Sequence, residues 1–335
     1  MRLIVTGIAG FIGTNFLRYY LENNPCDEII GLDCLTYAGN IKNIENLQSN
    51  ISSRFTFINC DICDYDKVKK IFNEYDVDGV INFAAESHVD RSIDNPFQFL
   101  QTNIIGTTNL MMASKEHWLY DGKYRENSRF LQVSTDEVYG SLGTTGTFSE
   151  DMNLSPNSPY SASKASADLL AHSFFSTYGF PVVITRCSNN YGPYQHPEKL
   201  VPKTIVNLLN HDEISIYGDG RNVRDWIHVT DHCKAIECVF KNGKIGEVYN
   251  VGSENEWSNI DLVKKIIHLL QDITDDNCIN EKLIKYVKDR AGHDFRYSID
   301  SSKIRQNLGW NPELEFEDGL KQTILWYIDN KNLTV

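Results

Sequence analysis

The sequence predicts an α/β protein: a Rossmann-type doubly wound parallel sheet with a smaller C-terminal α/β substrate-binding domain. Three observations predict it. Short β-rich runs alternate with stretches of helical period through the first half of the chain. The runs are apolar almost throughout, as strands are when helices cover both faces of their sheet. A glycine-rich turn joins the first strand to the first helix, and right-handed crossovers then gather all strand C-terminal ends on one edge, where such folds bind ligands.

Taken in order, the expected strands are RLIVTG (2–7), EIIGLD (28–33), FTFINCDI (55–62), GVINFAA (79–85), RFLQVST (129–135) and PVVITRC (181–187). Helical period follows the first of them in FIGTNFLRYYLENN, with Ile12, Phe16 and Tyr20 on one face. The second half is less regular. YGPYQHPEKLVP (191–202) reads as a loop entering a helix, and IYGDGRNVRDW (216–226) reads as a turn. EVYNVGS (247–253) reads as a further strand, and SNIDLVKKIIHLL (258–270) as a helix capped by Ser258. The expected division is a dinucleotide-binding domain over 1–185, with strands around 220–252 returning to it, and a second domain over 186–335.

Composition narrows the function. The chain has 335 residues, 41% hydrophobic, and a net charge of −13. No broad basic face is available for nucleic acid or an anionic membrane, so an anionic ligand must be held by a few arginines or by backbone amides. No apolar run reaches the roughly 20 residues of a membrane span. The start, MRLIVTG, enters a strand without the features of a signal peptide, so a cytoplasmic location is expected. The eight cysteines form no disulfide-like framework. Cys60 and Cys63 make a C-x-x-C without a second pair and read as ordinary strand-end thiols; no metal site is expected.

TGIAGFIG carries glycines at 7, 10 and 13 between a strand and a helix. Glycine permits the tight turn and lets the backbone approach a pyrophosphate, while the helix N-terminus offers free N–H groups. Asp33 ends the second strand, where a carboxylate bonds both ribose hydroxyls and repels a 2′-phosphate; NAD is expected over NADP. Asp61 and Ile62, and the small Ala84 and Ala85, are candidate contacts at the next strand ends.

SPYSASKASADLL places Tyr160 and Lys164 four residues apart on one helix face. Alone, Y-x-x-x-K usually marks a solvated face; after a dinucleotide loop it reads as catalytic. An ammonium beside a phenol is expected to lower the tyrosine pKa from about 10, so that Tyr160 takes a proton from a sugar hydroxyl as a hydride leaves. VSTDEVYG then poses a question, because Asp136 and Glu137 are adjacent carboxylates at the end of a buried strand. Such a pair costs desolvation and repulsion, but unequal surroundings let one carboxyl donate a proton while the other accepts.

The glycine loop and Tyr160-x-x-x-Lys164 resemble the extended short-chain dehydrogenase/reductases. FAAESHVDRSI, STDEVYG, SPYSASKASAD, RCSNNYGPYQHPEKLVP and GDGRNVRDWIHVTDH narrow the resemblance to the nucleotide-sugar 4,6-dehydratases, from Arg2 to about Trp326. The resemblance implies Glu137 as the base for a hexose C5 proton, Asp136 as the acid for the C6 hydroxyl, and Thr135 bonding the C4 oxygen beside Tyr160. Its implied NAD contacts are Gly7, Gly10, Phe11, Ile12, Gly13, Asp33, Thr36, Asp61, Ile62, Phe83, Ala84, Ala85, Ser87, Thr102, Tyr160, Lys164 and Asn190. Its implied substrate contacts are Ser87, His88, Thr135, Asn189, Glu198, Lys199, Leu200, Arg224, Asn259, Arg290 and His293, with the two arginines on the diphosphate.

The expected substrate is dTDP-glucose or UDP-glucose, since one methyl separates the bases and is worth only about 1–3 kcal/mol in a pocket. A nucleotide-sugar 4-epimerase is the alternative activity. The first loop departs from the family in having Ile8 after Gly7, which is tolerated if its side chain points away. Apolar surface on the helical stretches 97–117 and 160–178, which relatives pair between subunits, implies a homodimer.

Overall fold

This computed structural model describes residues 1–45 and 47–331. Seven strands form the main sheet: β1 (Arg2–Thr6), β2 (Glu28–Asp33), β3 (Phe55–Asn59), β4 (Gly79–Asn82), β5 (Arg129–Thr135), β6 (Val182–Cys187) and β10 (Val248–Val251), in the order β10-β6-β5-β4-β1-β2-β3. Every pairing is parallel. The apolar runs explain this. Leu3 and Val5 of β1 enter one core with Phe16 and Leu17 of α1 (Phe11–Asn23), while Ile4 between them enters another with Leu110 and Trp118 of α3 (Thr107–Trp118). A strand buried on both sides has no polar face to show.

Strand order reverses between β1 and β4, which opens a crevice at their C-terminal ends. Gly7 lies there at φ +64°, and a side chain on it would come within 2.9 Å of the Ala84 amide nitrogen. Glycine is therefore required twice over, by conformation and by close approach. No side chain caps the N-terminus of α1, whose N-cap is Gly10, so its amides face the crevice. Ile8 is buried against Gly31 and Phe16, so its side chain does point away from the crevice.

Helix α4 (Pro159–Tyr178) begins with a reciprocal cap: Ser158 Oγ accepts from the Ser161 amide at 3.1 Å, and Ser161 Oγ accepts from the Ser158 amide at 3.0 Å. This defines the first turn, on which Tyr160 sits. The expected continuous helix over 97–117 is instead a short helix at Pro96–Phe99, a π-helical stretch at Leu100–Gly106, and α3. Asn103 in the wider stretch bonds both the amide and the carbonyl of Glu86 and donates to Ser163 Oγ at 2.8 Å, tying the loop after β4 to α4.

Beyond β6 the chain builds a second unit around α5 (Leu200–Leu209), α7 (Asn259–Thr274) and α8 (Phe316–Asp329), with Trp226, Ile214 and Ile216 in their shared core. Strands β7 (Asn189–Tyr191), β9 (Val223–His228) and β11 (Glu256–Ser258) form a three-stranded sheet; β8 (Ile214–Tyr217) pairs with β12 (Ile284–Val287). The segment 216–226 is thus not wholly a turn. Only 218–222 turns, and strands enter it from both sides because Trp226 and Ile216 have cores to fill. Ser258 caps α7 as expected, accepting from the Asp261 amide at 3.2 Å. Four predicted strands also stop early, at Thr6, Asn59, Asn82 and Val251, so Gly7, Asp61, Ile62, Ala84 and Ala85 belong to the loops that follow.

A methyl on Gly13 would lie 2.2 Å from the Gly7 carbonyl oxygen, whereas one on Gly143 would meet nothing within 4 Å. Gly13→Ala is expected to cost about 1–3 kcal/mol, read as a lower melting temperature, with Gly143→Ala within about 0.5 kcal/mol of wild type. Equal melting temperatures for the two variants would contradict the packing described for the loop.

Candidate active site

The crevice continues into two adjoining cavities. The first, about 490 Å³, runs from the glycine loop over the ends of β2, β3 and β4 to α4; Gly7, Gly10, Phe11, Ile12, Gly13, Asp33, Thr36, Asp61, Ile62, Phe83, Ala84, Ala85, Ser87, Thr102, Tyr160, Lys164 and Asn190 all line it, with Thr135, Asp136 and Glu137. The second, about 390 Å³, opens toward α5 and α7 and is lined by His88, Leu200, Arg224, Asn259, Arg290 and His293. Ser87, Glu137, Asn189, Glu198 and Lys199 line both, so the acid–base turn lies at their junction.

Each wall is held by identifiable bonds. The Asp33 carboxylate accepts from the Ala9 amide at 3.0 Å and the Leu35 amide at 2.8 Å, locking the end of β2 against the glycine loop. Asp61 Oδ1 accepts from the Cys63 amide at 2.8 Å, which turns the loop after β3. Glu198 lies within 4.0 Å of His88, Arg91, His196 and Lys199, while Lys199 Nζ donates to the Ser87 carbonyl at 2.8 Å. Arg224 is 7% exposed and donates to the carbonyls of Val223, Asp294 and Phe295, with its guanidinium 4.2 Å from the centre of the Tyr297 ring. Arg290 forks onto Asp90 at 2.5 and 3.0 Å, and His293 Nδ1 lies 2.7 Å from Asp289.

β5 delivers the candidate reacting groups. Thr135 ends it and caps the tight helical turn Asp136–Tyr139, its Oγ1 accepting from the Glu137 amide at 3.3 Å and donating to Asp136 Oδ1 at 3.3 Å. Asp136 is 1% exposed, and its Oδ2 has no protein partner. Burial holds its pKa well above the usual carboxyl range, and the Glu137 and Asp225 carboxylates add to this. Burial raises Glu137 as well, but Arg224 and Lys199 oppose the rise. The two carboxyls therefore stand in unequal fields, the condition for one acid and one base.

The Tyr–Lys pair corrects an expectation. The phenol of Tyr160 does not stand below its ordinary value. Burial, then Glu137, Cys187 and Asp136, hold it well above its ordinary value, with the Thr135 hydrogen bond opposing. The Lys164 ammonium instead donates to the Val133 carbonyl at 2.6 Å, and burial lowers its own pKa. Four residues along a helix put the two on one face, but the buried carbonyl behind the sheet end competes for the lysine.

Some lining residues escaped the sequence reading: Cys34, Gln195, His196, Tyr217, Trp226 and Tyr297. His196 and Gln195 stood inside the Pro- and Tyr-rich loop already singled out, so their neighbours signalled them. Tyr217 and Trp226 likewise stood inside the segment 216–226, whereas Cys34, just past the end of β2, had no local signal. Among the described residues no group of three or more His, Cys, Asp or Glu is placed to hold a metal ion.

Fold and cleft together define the class: an extended short-chain dehydrogenase/reductase. A family model for GDP-mannose 4,6 dehydratase matches residues 4–323, and the chain belongs to that family. A dTDP-glucose 4,6-dehydratase of Xanthomonas campestris pv. campestris is 48% identical over 332 residues, 98% of this chain and 93% of its own. A crystal structure of dTDP-glucose 4,6-dehydratase from Bacillus anthracis in complex with NAD superposes with a TM-score of 0.88 at 45% identity, covering 99% of this chain and 98% of that one. A UDP-glucose 4-epimerase of Thermotoga maritima, solved with UDP-glucose, shares the fold at a TM-score of 0.86 but only 28% identity, over 99% of this chain and all of its own.

The sign of the pH effect follows from Asp136. Its folded pKa is raised, so its protonated form is the one the fold favours. The resulting stability is fully present below the unfolded value of 3.8 and is lost as pH rises through the folded value. Asp136→Asn mimics the protonated form, so the variant should melt above wild type at pH 8, with the gap narrowing toward pH 4. A wild-type enzyme that melts higher than the variant across that range would contradict the burial described.

Proposed function

We propose that this protein is an NAD-dependent hydro-lyase that converts dTDP-glucose to dTDP-4-keto-6-deoxy-glucose and water. The observation that carries the reading is the buried Asp136–Glu137 pair lining the same cavity as Tyr160. The 4,6-dehydratases at 45–48% identity support it.

The first cavity fits NAD on its own chemistry. A glycine loop that any side chain would fill, uncapped amides at α1 and the Asp33 carboxylate suit a pyrophosphate and a ribose with both hydroxyls free. Asp61 and Ile62 would border the adenine, and Phe83, Ala84, Ala85, Thr36, Thr102 and Asn190 the rest of the dinucleotide. When bound, NAD supplies acceptance of a hydride from C4 and its return at C6, so the reaction involves no net oxidation.

The chain's own residues do the proton work. Tyr160, deprotonated once Lys164 turns from the Val133 carbonyl to a ribose hydroxyl of the cofactor, takes the C4 hydroxyl proton, with Thr135 bonding the same oxygen. The C4 carbonyl acidifies the C5 hydrogen. Glu137 removes that proton while Asp136 protonates the C6 oxygen, so the C5–H and C6–O bonds break, water leaves and a C5–C6 double bond forms. Glu137 then returns a proton to C5, and the proton taken up by Tyr160 passes through solvent to Asp136, which restores every group. Arg224 and Arg290 hold the diphosphate, with Asn189, Asn259 and His293 beside it; Ser87, His88, Glu198, Lys199 and Leu200 border the hexose and nucleotide.

Residues 1–185 with β10 would thus bind the dinucleotide and 186–335 mainly the nucleotide sugar. Phe97 is 78% and Leu169 60% exposed, and Leu100 and Ile105 are also exposed. This apolar face of α4 and the stretch before α3 supports a homodimer. No helix among the described residues is long and apolar enough to cross a membrane, which is consistent with the cytoplasmic location proposed.

Substrate deuterated at C4 should yield product labelled at C6; label lost to water, or unreacted sugar, would reject the reading. Glu137→Gln should lower turnover by at least about 100-fold while C4 oxidation persists, whereas an epimerase would keep its activity. Light scattering at micromolar concentration should give twice the mass of one chain.

A further inference from the structure

The reacting groups come from two separate elements. Asp136 and Glu137 ride on the turn after β5; Tyr160 and Lys164 ride on α4. One buried side chain bonds both elements. Arg186, opposite Ser134 in the β5–β6 register, donates from Nε to Asp168 Oδ2 at 3.0 Å and from Nη1 to the Tyr139 hydroxyl at 2.8 Å. Asp168 lies one helical turn beyond Lys164 and two beyond Tyr160 on the same face of α4. Tyr139 is the last residue of the acid–base turn. Its hydroxyl donates onward to Asn250 Oδ1 at 2.8 Å on β10, and its ring stacks on Phe148 with centres 5.0 Å apart.

We propose that the Asp168–Arg186–Tyr139 chain is a positioning network that fixes the acid–base turn relative to α4, and so governs the elimination step separately from the oxidation step. The inference rests on the dehydratase reading given above. None of the three residues lines either cavity, so they act through the groups they hold. All three are 6% exposed or less. A buried ion pair is a weak source of stability, because desolvation offsets most of its attraction. What it supplies is direction: a planar fork with two bonds at fixed angles, one to each element.

The turn is held in the middle at Val138, which is buried and whose carbonyl accepts from the Ser155 amide at 3.0 Å. Its ends are looser: the far end runs into Gly140 at φ +92°, and the near end, which carries Asp136 and Glu137, is held by the long 3.3 Å bonds of Thr135. The catalytic helix is held independently, by its Ser158 cap and by Asn103 bonded to Ser163. Loosening the network therefore moves Asp136 and Glu137 relative to the sugar while leaving Tyr160 and Lys164 in place. Displacement by about 1 Å suffices to cost roughly 100-fold in a step that needs aligned groups.

The test uses Tyr139→Phe, which deletes one hydroxyl and keeps the stacked ring. The full-length enzyme with NAD is mixed rapidly with dTDP-glucose in heavy water. Absorbance of the reduced nicotinamide reports oxidation, and deuterium at C5 of the product reports elimination and return. The expected result is oxidation within about twofold of wild type and elimination slowed at least about tenfold, so that reduced nicotinamide accumulates during turnover. Arg186→Lys, which keeps the charge and loses the fork, should show the same split. Equal slowing of both steps, or no change in either, would overturn the network's role. The wild-type enzyme run alongside separates the two ideas: if it forms no 4-keto-6-deoxy product, the functional reading has failed and not the network.

Discussion

Everything at this site depends on keeping ionisable groups out of water. Asp136, Tyr160 and Lys164 are each 9% exposed or less, around one cavity. In bulk solvent an aspartic acid loses its proton near pH 4 and cannot act as an acid at neutrality. Burial, with Glu137 and Asp225 adding to it, pushes the Asp136 pKa well above that value. The same burial that stabilises the neutral acid would disable a base, and Arg224 and Lys199 offset it at Glu137. Two residues adjacent in sequence thus stand in unequal fields, which suits them to the opposite duties proposed for them.

The fold supplies this environment through its two halves. The parallel sheet gathers the ends of β1 to β6 at one edge and presents the turn after β5 there. The second unit brings Arg224 and Asp225 on β9, and Lys199 ahead of α5, down onto that edge. A chain of net charge −13 repels an anionic substrate at long range. Two half-buried to buried arginines close to the junction of the cavities reverse that locally, and in a low-dielectric cleft short-range attraction wins. Asp90 occupies Arg290 meanwhile, and backbone carbonyls occupy Arg224, so both guanidinium groups have hydrogen-bond partners.

The tyrosine–lysine pair shows where a spacing rule stops. Four residues apart means one helix face, and both residues do line the cavity. Spacing says nothing about what else the ammonium can reach. The Val133 carbonyl at the end of β5 is 2.6 Å away and takes it. With the lysine so engaged and three acidic or thiol groups near the phenol, Tyr160 stays protonated. A cofactor ribose competing for Lys164 would redistribute those bonds, which ties activation of the tyrosine to occupation of the cleft.

By itself the sequence determined what short-range pattern can encode. The two-sided apolar runs required a covered parallel sheet, the strand–glycine–helix junction pointed to a phosphate loop, and Ser258 marked a helix start; each depends on residues within a few positions of one another. The identities of Asp136, Glu137, Tyr160 and Lys164 were legible for the same reason. Only the tertiary structure decided the directions of their pKa shifts, the partner of Lys164, the strand at 223–228 where 216–226 had read as a turn, and the Arg186 bridge. Those depend on groups dozens of residues apart that meet only when the sheet has closed, and on the loss of water that comes with it. Local sequence carries propensity and spacing, whereas dielectric environment and long-range hydrogen-bond choice are properties of the packed interior.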